Sequence, residues 1–171
     1  MTALCIVRWI VILQKLNDTI TNELRNHVAN AQYAKFRGNQ FLVVDIINKF
    51  DINKHIDEIT NSYYMGNIIN YKKGEIVKSN SFDEDLNNVC SNGIHYFKSI
   101  EPAFHYGVSQ LKNKNGIYTQ WYENGQIELK CNYKDGKIEG EYIGWYGNGQ
   151  NMRKCSYKDG KREGEYTKWH S

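Results

Sequence analysis

Cys90-Ser-Asn-Gly-Ile-His95 is the one stretch of this chain whose residue types suit covalent chemistry. A thiol and an imidazole five positions apart can meet across a turn, and the imidazole would then lower the thiol pKa and create a nucleophile. No third orienting group and no set of oxyanion donors can be named beside them, and a buried cysteine is commonly just a small hydrophobe. The acidic run Asp83-Glu84-Asp85 has the residue types of a metal site. In the first turn of a helix the same carboxylates simply favour the helix dipole. His27 and His105 stand alone, and Cys5, Cys90, Cys131 and Cys155 lack the spacing of a metal-binding set. No catalytic constellation rises above background, so the expectation is a non-enzymatic protein with no catalytic residue, cofactor or metal.

The elements that would position such groups read as follows. Ala3–Ile12 is an apolar, β-type run; Leu4–Leu13 is too short to span a bilayer and lacks the basic start and cleavage site of a signal peptide. Thr19–Lys35 places Ile20, Leu24, Val28 and Ala31 on one helical stripe, although Asn22, Asn26 and Asn30 suit a long loop equally well. Gln40–Ile47 is a nearly continuous β-branched run and predicts a central strand. Glu75–Lys78 predicts a short strand after a turn at Tyr71–Gly74. Ser81-Phe-Asp-Glu84 has capping-box spacing and predicts a helix through Val89. Asn92–Ser99 reads as loop and strand, and Ser99 caps a short helix near Ile100–Tyr106.

The last third repeats itself. When Gly116–Glu139 is set over Gly140–Glu163, 15 of the 24 positions are identical, and a third copy runs from Gly164 to Trp169. Each unit carries two turn signals, Asn-Gly at 124–125 or 148–149 and Asp-Gly at 135–136 or 159–160. Five antiparallel strands are therefore expected at Ile117–Tyr122, Gln126–Lys134, Lys137–Tyr146, Gln150–Lys158 and Lys161–Trp169. In the second of these, Ile127, Leu129, Cys131 and Tyr133 alternate with polar residues, as one buried face requires. Asn151 and Arg153 weaken that face in the next copy, so burial should fall toward the C-terminus. Glycines 140 and 164 inside strands mark either bulges or a close approach by a neighbour's ring, and a bulge would let Tyr118 and Trp121 share a face. Cys131 and Cys155 should lie two strand spacings apart, ~10 Å, too far for a disulfide.

Charge follows the same division. Residues 1–108 carry 11 Lys+Arg against 11 Asp+Glu, and residues 109–171 carry 11 against 8, so the net +3 comes from the repeats. Interleaved with acids, this reads as a solvated face rather than a nucleic-acid footprint. Lys130, Lys134, Lys137, Lys154, Lys158 and Lys161, if they face one way, would form a weak surface for anionic membrane lipid. Tyr118, Trp121, Tyr122, Tyr142, Trp145, Tyr146, Tyr166 and Trp169 form an aromatic ladder that is either the core of the sheet or a platform for a partner.

The pattern G-x-Y-x-x-W-Y-x-N-G-Q followed by Y-K-D-G-K-x-E-G resembles the MORN repeat, most closely its variant in bacterial antitoxin-like proteins, over roughly 116–169. That resemblance implies a curved single-layer β-meander serving protein–protein contact, with phospholipid binding sometimes proposed, and no catalysis. Residues from about 3 to 108 also resemble a domain of unknown function from giant DNA viruses of the Mimivirus type, chiefly through Val89-Cys-Ser-Asn-Gly-Ile-His-Tyr-Phe-Lys. The resulting expectation is an α+β protein: a small mixed domain at 1–108 and a MORN-type β domain at 109–171, with repeats 116–139, 140–163 and a partial 164–169. Its expected role is a scaffold for a protein partner or its own copy, with peripheral phospholipid binding and a Cys90/His95 enzyme as alternatives, in a reduced intracellular setting such as a host cytoplasm. Nucleic acid and a small-molecule substrate are not expected. Stacked repeats need about three units for a continuous core, so the meander should dock on its own N-terminal domain, on a second chain or on a partner.

Overall fold

The computed structural model describes residues 1–6, 8–61, 68–107 and 114–170. Eight strands precede the repeats: β1 (Thr2–Ile6), β2 (Trp9–Gln14), β3 (Lys35–Gly38), β4 (Gln40–Asn48), β5 (Glu58–Asn61), β6 (Ile69–Lys72), β7 (Ile76–Lys78) and β8 (Ile94–Phe97). A six-residue helix, α1 (Ile100–His105), follows. Six of these strands form one sheet in the order β3-β8-β1-β2-β4-β7, every pair antiparallel, while β5 and β6 form a separate hairpin. Among the described residues α1 is the one helix, so the chain is a mostly antiparallel β protein with the expected C-terminal meander, and the α part of the expected α+β class comes down to this short helix.

The apolar run near the N-terminus is a hairpin rather than one strand, since Ile6 pairs with Trp9 and Thr2 with Leu13. Both faces of that hairpin are covered, which is why its sequence does not alternate. On one face Leu4, Ile6, Val11 and Leu13 join Phe36, Phe41, Val43, Ile46, Tyr71, Ile94 and Tyr96 in the main core. Phe41 on β4 meets the Tyr96 ring on β8 edge to face at 5.0 Å although β1 and β2 lie between those strands. The sheet therefore curls around this core. On the other face Ala3, Ile10, Ile12 and Phe97 pack with Ala103 and Phe104 of α1.

Two expected helices do not form. Residues 19–35 run as turns and extended chain, with Ile20 and Leu24 exposed. Asn22 is fully buried instead: its side chain accepts from the Arg37 amide and donates to the Leu86 carbonyl, while its own amide donates to the Arg37 carbonyl. A side chain that satisfies backbone groups in this way competes with the helix. Residues 81–92 wrap around Arg37, which is 0% exposed. Its Nε donates to the Asn88 carbonyl, Nη1 to those of Asp83 and Asn92, and Nη2 to that of Asp85, with the guanidinium over the Phe82 ring. Carbonyls turned inward to one cation cannot also form a helical ladder.

The repeats form the expected meander of β9 (Gly116–Trp121), β10 (Ile127–Lys134), β11 (Lys137–Trp145), β12 (Asn151–Lys158) and β13 (Lys161–Lys168), paired in sequence order. The Asp-Gly turns have both residues at positive φ, Asp135 at 50° with Gly136 at 78° and Asp159 at 51° with Gly160 at 79°, as a two-residue type I′ hairpin demands. At the Asn-Gly turns only the glycine takes positive φ, which makes them three-residue loops closed by a glycine bulge. Tyr118, Cys131, Tyr142 and Cys155 are buried in one cross-strand row. That row confirms Cys131 and Cys155 on strands separated by β11, with neither thiol in a disulfide. Register shifts opposite Gly140 and Gly164 confirm the bulges. A third shift, between Ile127 and Leu129, adds its extra residue to β10 rather than β9, and the rings of Tyr118 and Trp121 both meet His105. Burial falls along the meander as expected, and β13 is exposed at every residue but Thr167. The domain boundary drawn at 108/109 lies outside the described residues.

Candidate functional site

The first repeat is sealed against the N-terminal sheet. Tyr33 stacks on the Trp121 ring at 5.2 Å with 9° between planes. The Glu123 carbonyl accepts from the Lys35 amide at 3.1 Å and from Arg25 Nη2 at 2.5 Å, and the Asn124 carbonyl from the amides of Ala29 and Asn30 at 2.9 and 3.1 Å. Gly125 is buried beneath the Asn30 carbonyl, and His105 of α1 lies 5.7 Å from both the Tyr118 and Trp121 rings. The meander thus docks on its own N-terminal domain, one of the three expected arrangements.

Between repeats the same positions are served by the preceding repeat. Tyr122 donates its hydroxyl to the Trp145 carbonyl at 2.8 Å, Asn124 donates its amide to the Gly147 carbonyl at 3.0 Å, and the Gln126 side chain lies beside Gly149. Tyr146 in turn donates to the Trp169 carbonyl at 2.9 Å. Gly147 corresponds to Glu123 and Gly149 to Gly125, so residues 25–35 do for the first repeat what the first repeat does for the second. They act as a cap that imitates a preceding unit.

The ladder residues therefore divide. Tyr118 and Tyr142 are core, Trp121 is part of the dock, and Tyr122, Trp145 and Tyr146 are half-buried between repeats. Tyr166 at 43% and Trp169 at 38% are exposed at the far end. The platform reading is corrected for Tyr118, Trp121 and Tyr142, because the fold has already used those rings.

The chemistry suggested by Cys90 and His95 is not assembled. The Cys90 thiol donates to Glu123 Oε1 at 2.7 Å and accepts from Lys35 Nζ at 3.3 Å. Burial and the Glu123 hydrogen bond push its pKa up against the opposing pull of Lys35, the reverse of an activated nucleophile. His95 Nε2 pairs with the Val89 carbonyl at 3.0 Å. In native alkylation at neutral pH, Cys90 is expected to react more slowly than an unperturbed exposed thiol, and Cys131 and Cys155 only after unfolding. Mass spectrometry of the time course checks this, and a Cys90 faster than free cysteine would refute it. The oxygens of Asp83 are taken by Ser91, Asn88 and the Asp85 amide, which bring its pKa down to about 2.

Burial, with the charge of Lys35, lowers the His95 pKa from 6.5 to about 4, and burial lowers that of His105 as well. Between those values the unfolded chain takes up a proton that folded His95 refuses. Stability is therefore whole above pH 6.5 and falls as pH drops to about 4. The urea midpoint should be lower at pH 4.5 than at pH 7, with His95 still neutral in its NMR titration until about pH 4; a midpoint that rises on acidification would contradict this.

The six repeat lysines do not face one way. Lys130 and Lys154 lie in a cross-strand row with Ile143, and Lys154 pairs with Glu141 at 2.6 Å. Lys134, Lys137, Lys158 and Lys161 instead flank the two Asp-Gly turns at one end, exposed, with Arg162 beside them. A cleft of about 430 Å³ lies between β4 and the start of α1 on the sheet face against which α1 packs, lined by Ile12, Val44, Ile47, Met1 and Ile100, with Asp45 and Lys98 among its few polar groups.

Fold and site together define an antiparallel β-repeat protein: a curled sheet whose extended segment caps one end of a repeat meander, the last strand of which, β13, has a strand on one side only among the described residues. Residues 18–103, 86 of the 171, match the model of a family of unknown function (DUF5758), and the chain belongs to that family. The match spans the cap segment, β3 to β8 and part of α1, and stops short of the meander. No curated protein and no solved structure matches the chain. Sequence reasoning missed the cap. The only signal for it was negative: an asparagine-rich stretch too polar to bury a helical stripe.

Proposed function

We propose that this is a non-enzymatic interaction scaffold whose C-terminal third is a MORN-type repeat module and whose working surface is the β13 end of the meander. One observation carries the reading: the two ends of the meander are unlike. The first repeat is sealed by residues 25–35, whereas β13 is exposed at every residue but Thr167 and both Tyr166, under the Arg162 guanidinium, and Trp169 are exposed. Exposed aromatics in a polar surround are enriched where proteins meet. A photo-crosslinking residue at Tyr166 should give a discrete protein adduct in cells, and the same residue at exposed Ile76, on the N-terminal sheet, should not. Equal labelling from both positions would sink the reading.

A second reading, peripheral binding to anionic phospholipid, is favoured by Lys134, Lys137, Lys158, Lys161 and Arg162 collected at the Asp-Gly turns. Each basic residue near an acidic membrane contributes about 1 kcal/mol. Binding should appear with vesicles containing phosphatidylserine and vanish at high salt. No difference from neutral vesicles would remove this reading.

A further inference from the structure

The internal repeat shows what belongs on the open edge. β13 restates β11: Lys137-Ile-Glu-Gly-Glu-Tyr142 becomes Lys161-Arg-Glu-Gly-Glu-Tyr166, with both glycines at positive φ, 79° and 74°. On its inner side each strand has a register shift near that glycine. On its outer side β11 carries β12 without interruption from Gly140↔Tyr157 through Tyr142↔Cys155 to Gly144↔Arg153. The bulge therefore leaves the outer edge regular. On β13 the equivalent stretch, Gly164–Lys168, has no strand beside it among the described residues. Tyr142, between two strands, is 8% exposed; Tyr166, with one, is 43% exposed.

Charged residues on an edge normally discourage pairing. Here Lys161, Arg162 and Glu163 correspond to Lys137, Ile138 and Glu139, which precede the paired stretch of β11 and β12. Those three flank the acceptor edge; within it Glu165 repeats Glu141, which β11 carries opposite Ser156, and Lys168 stands at the far end where β11 has Gly144. A second copy of this chain has no free strand of the β12 type to offer, because its β10 and β12 already have neighbours on both sides.

We infer that Gly164–Lys168 accepts an antiparallel strand from a different protein, a strand of the β12 type with a small side chain opposite Tyr166 and a cation opposite Thr167. In β12 itself these places are Cys155 and Lys154, opposite Tyr142 and Ile143. Main-chain hydrogen bonds along a sheet edge supply affinity, and alternate side chains supply selectivity. The inference rests on the scaffold reading and specifies how its surface is used.

The test uses the full-length chain and a synthetic peptide of its own Gln150–Lys158 sequence, under reducing conditions. The peptide should bind saturably and slow hydrogen exchange of the Gly164–Lys168 amides about tenfold when near saturation. A version with N-methylated backbone amides should do neither. The inference is overturned by absence of binding up to roughly 1 mM peptide, a free energy of about 4 kcal/mol. Slowing confined to other segments, equal binding of the N-methylated peptide, or a dimer of the chain that already protects those amides would overturn it too. If the Tyr166 crosslinks persist while the peptide fails, the surface remains an interface and strand addition is not its mode; if both fail, the scaffold reading falls with it.

Discussion

Gly125→Ala is expected to destabilise the protein by roughly 3–5 kcal/mol, while Gly149→Ala, the same change at the same repeat position, costs only about 1–2. The two glycines have nearly the same backbone, φ of 86° and 89°, and the same turn hydrogen bonds. The penalty for placing alanine at positive φ is therefore common to both. What differs is the neighbour. A Cβ on Gly125 would lie 2.0 Å from the Asn30 carbonyl oxygen and 2.8 Å from the Ala34 nitrogen, both backbone atoms of the cap. On Gly149 it would meet the Gln126 side chain at 3.3 Å, which can swing aside. Relieving the first clash means pulling the cap off the turn, with loss of the four hydrogen bonds to the Glu123 and Asn124 carbonyls and of the Tyr33–Trp121 stack. Gly125→Ala should therefore unfold in two steps, the meander first, followed in urea by tryptophan fluorescence. Equal losses for the two substitutions would show that turn strain alone matters and that the dock contributes little.

The second large effect is at Arg37. Arg37→Leu is expected to cost about 3–5 kcal/mol, a large share of the 5–15 typical of a folded domain. The substitution keeps an apolar side chain over Phe82 and removes the donors to four carbonyls in residues 83–92. Each buried carbonyl left without a partner is worth about 1–3 kcal/mol, and part of that is recovered as the loop opens to water. Arg37→Lys should restore little, because one ammonium cannot span the fork of positions that the guanidinium bridges. Limited proteolysis should then cut within 81–92 in both variants and leave the wild type intact there. A loss under about 1 kcal/mol for Arg37→Leu would mean that the loop holds its own shape.

The meander was readable strand by strand because its information is local. Asp-Gly and Asn-Gly mark the reversals, alternation at Ile127, Leu129, Cys131 and Tyr133 marks the inner face, and repetition says the same thing twice. The strand at Gln40–Ile47 was readable for the same reason, since a β-branched run of that length predicts buried β structure wherever it lies. The first hairpin was only half readable: the residues were rightly β, but an apolar run covered on both faces carries no period to show where it turns, and one expected strand became β1 and β2.

The helical reading of 19–35 and 81–89 failed for a different reason. Capping-box spacing at Ser81 and a stripe from Ile20 to Ala31 are genuine local preferences, each worth about 1 kcal/mol or less. Asn22 and Arg37, 15 positions apart, outweigh both by meeting in the interior and claiming the backbone groups that a helix would need. Nothing in the spacing of either segment announces the other. The Cys90–His95 pairing failed alike: five positions apart on paper, the thiol faces Lys35 and Glu123 while the imidazole turns to the Val89 carbonyl.

Turn chemistry, strand periodicity and the 24-residue repeat are properties of neighbouring residues, and for them the order of amino acids was sufficient. Which end of the meander is closed and which ladder rings remain exposed depended on contacts between positions about 90 residues apart, such as Asn30 with Gly125 and Tyr33 with Trp121. Such contacts exist only once the curled sheet has placed the asparagine-rich segment against the first repeat, because their energy comes from close approach in space and leaves no period along the chain.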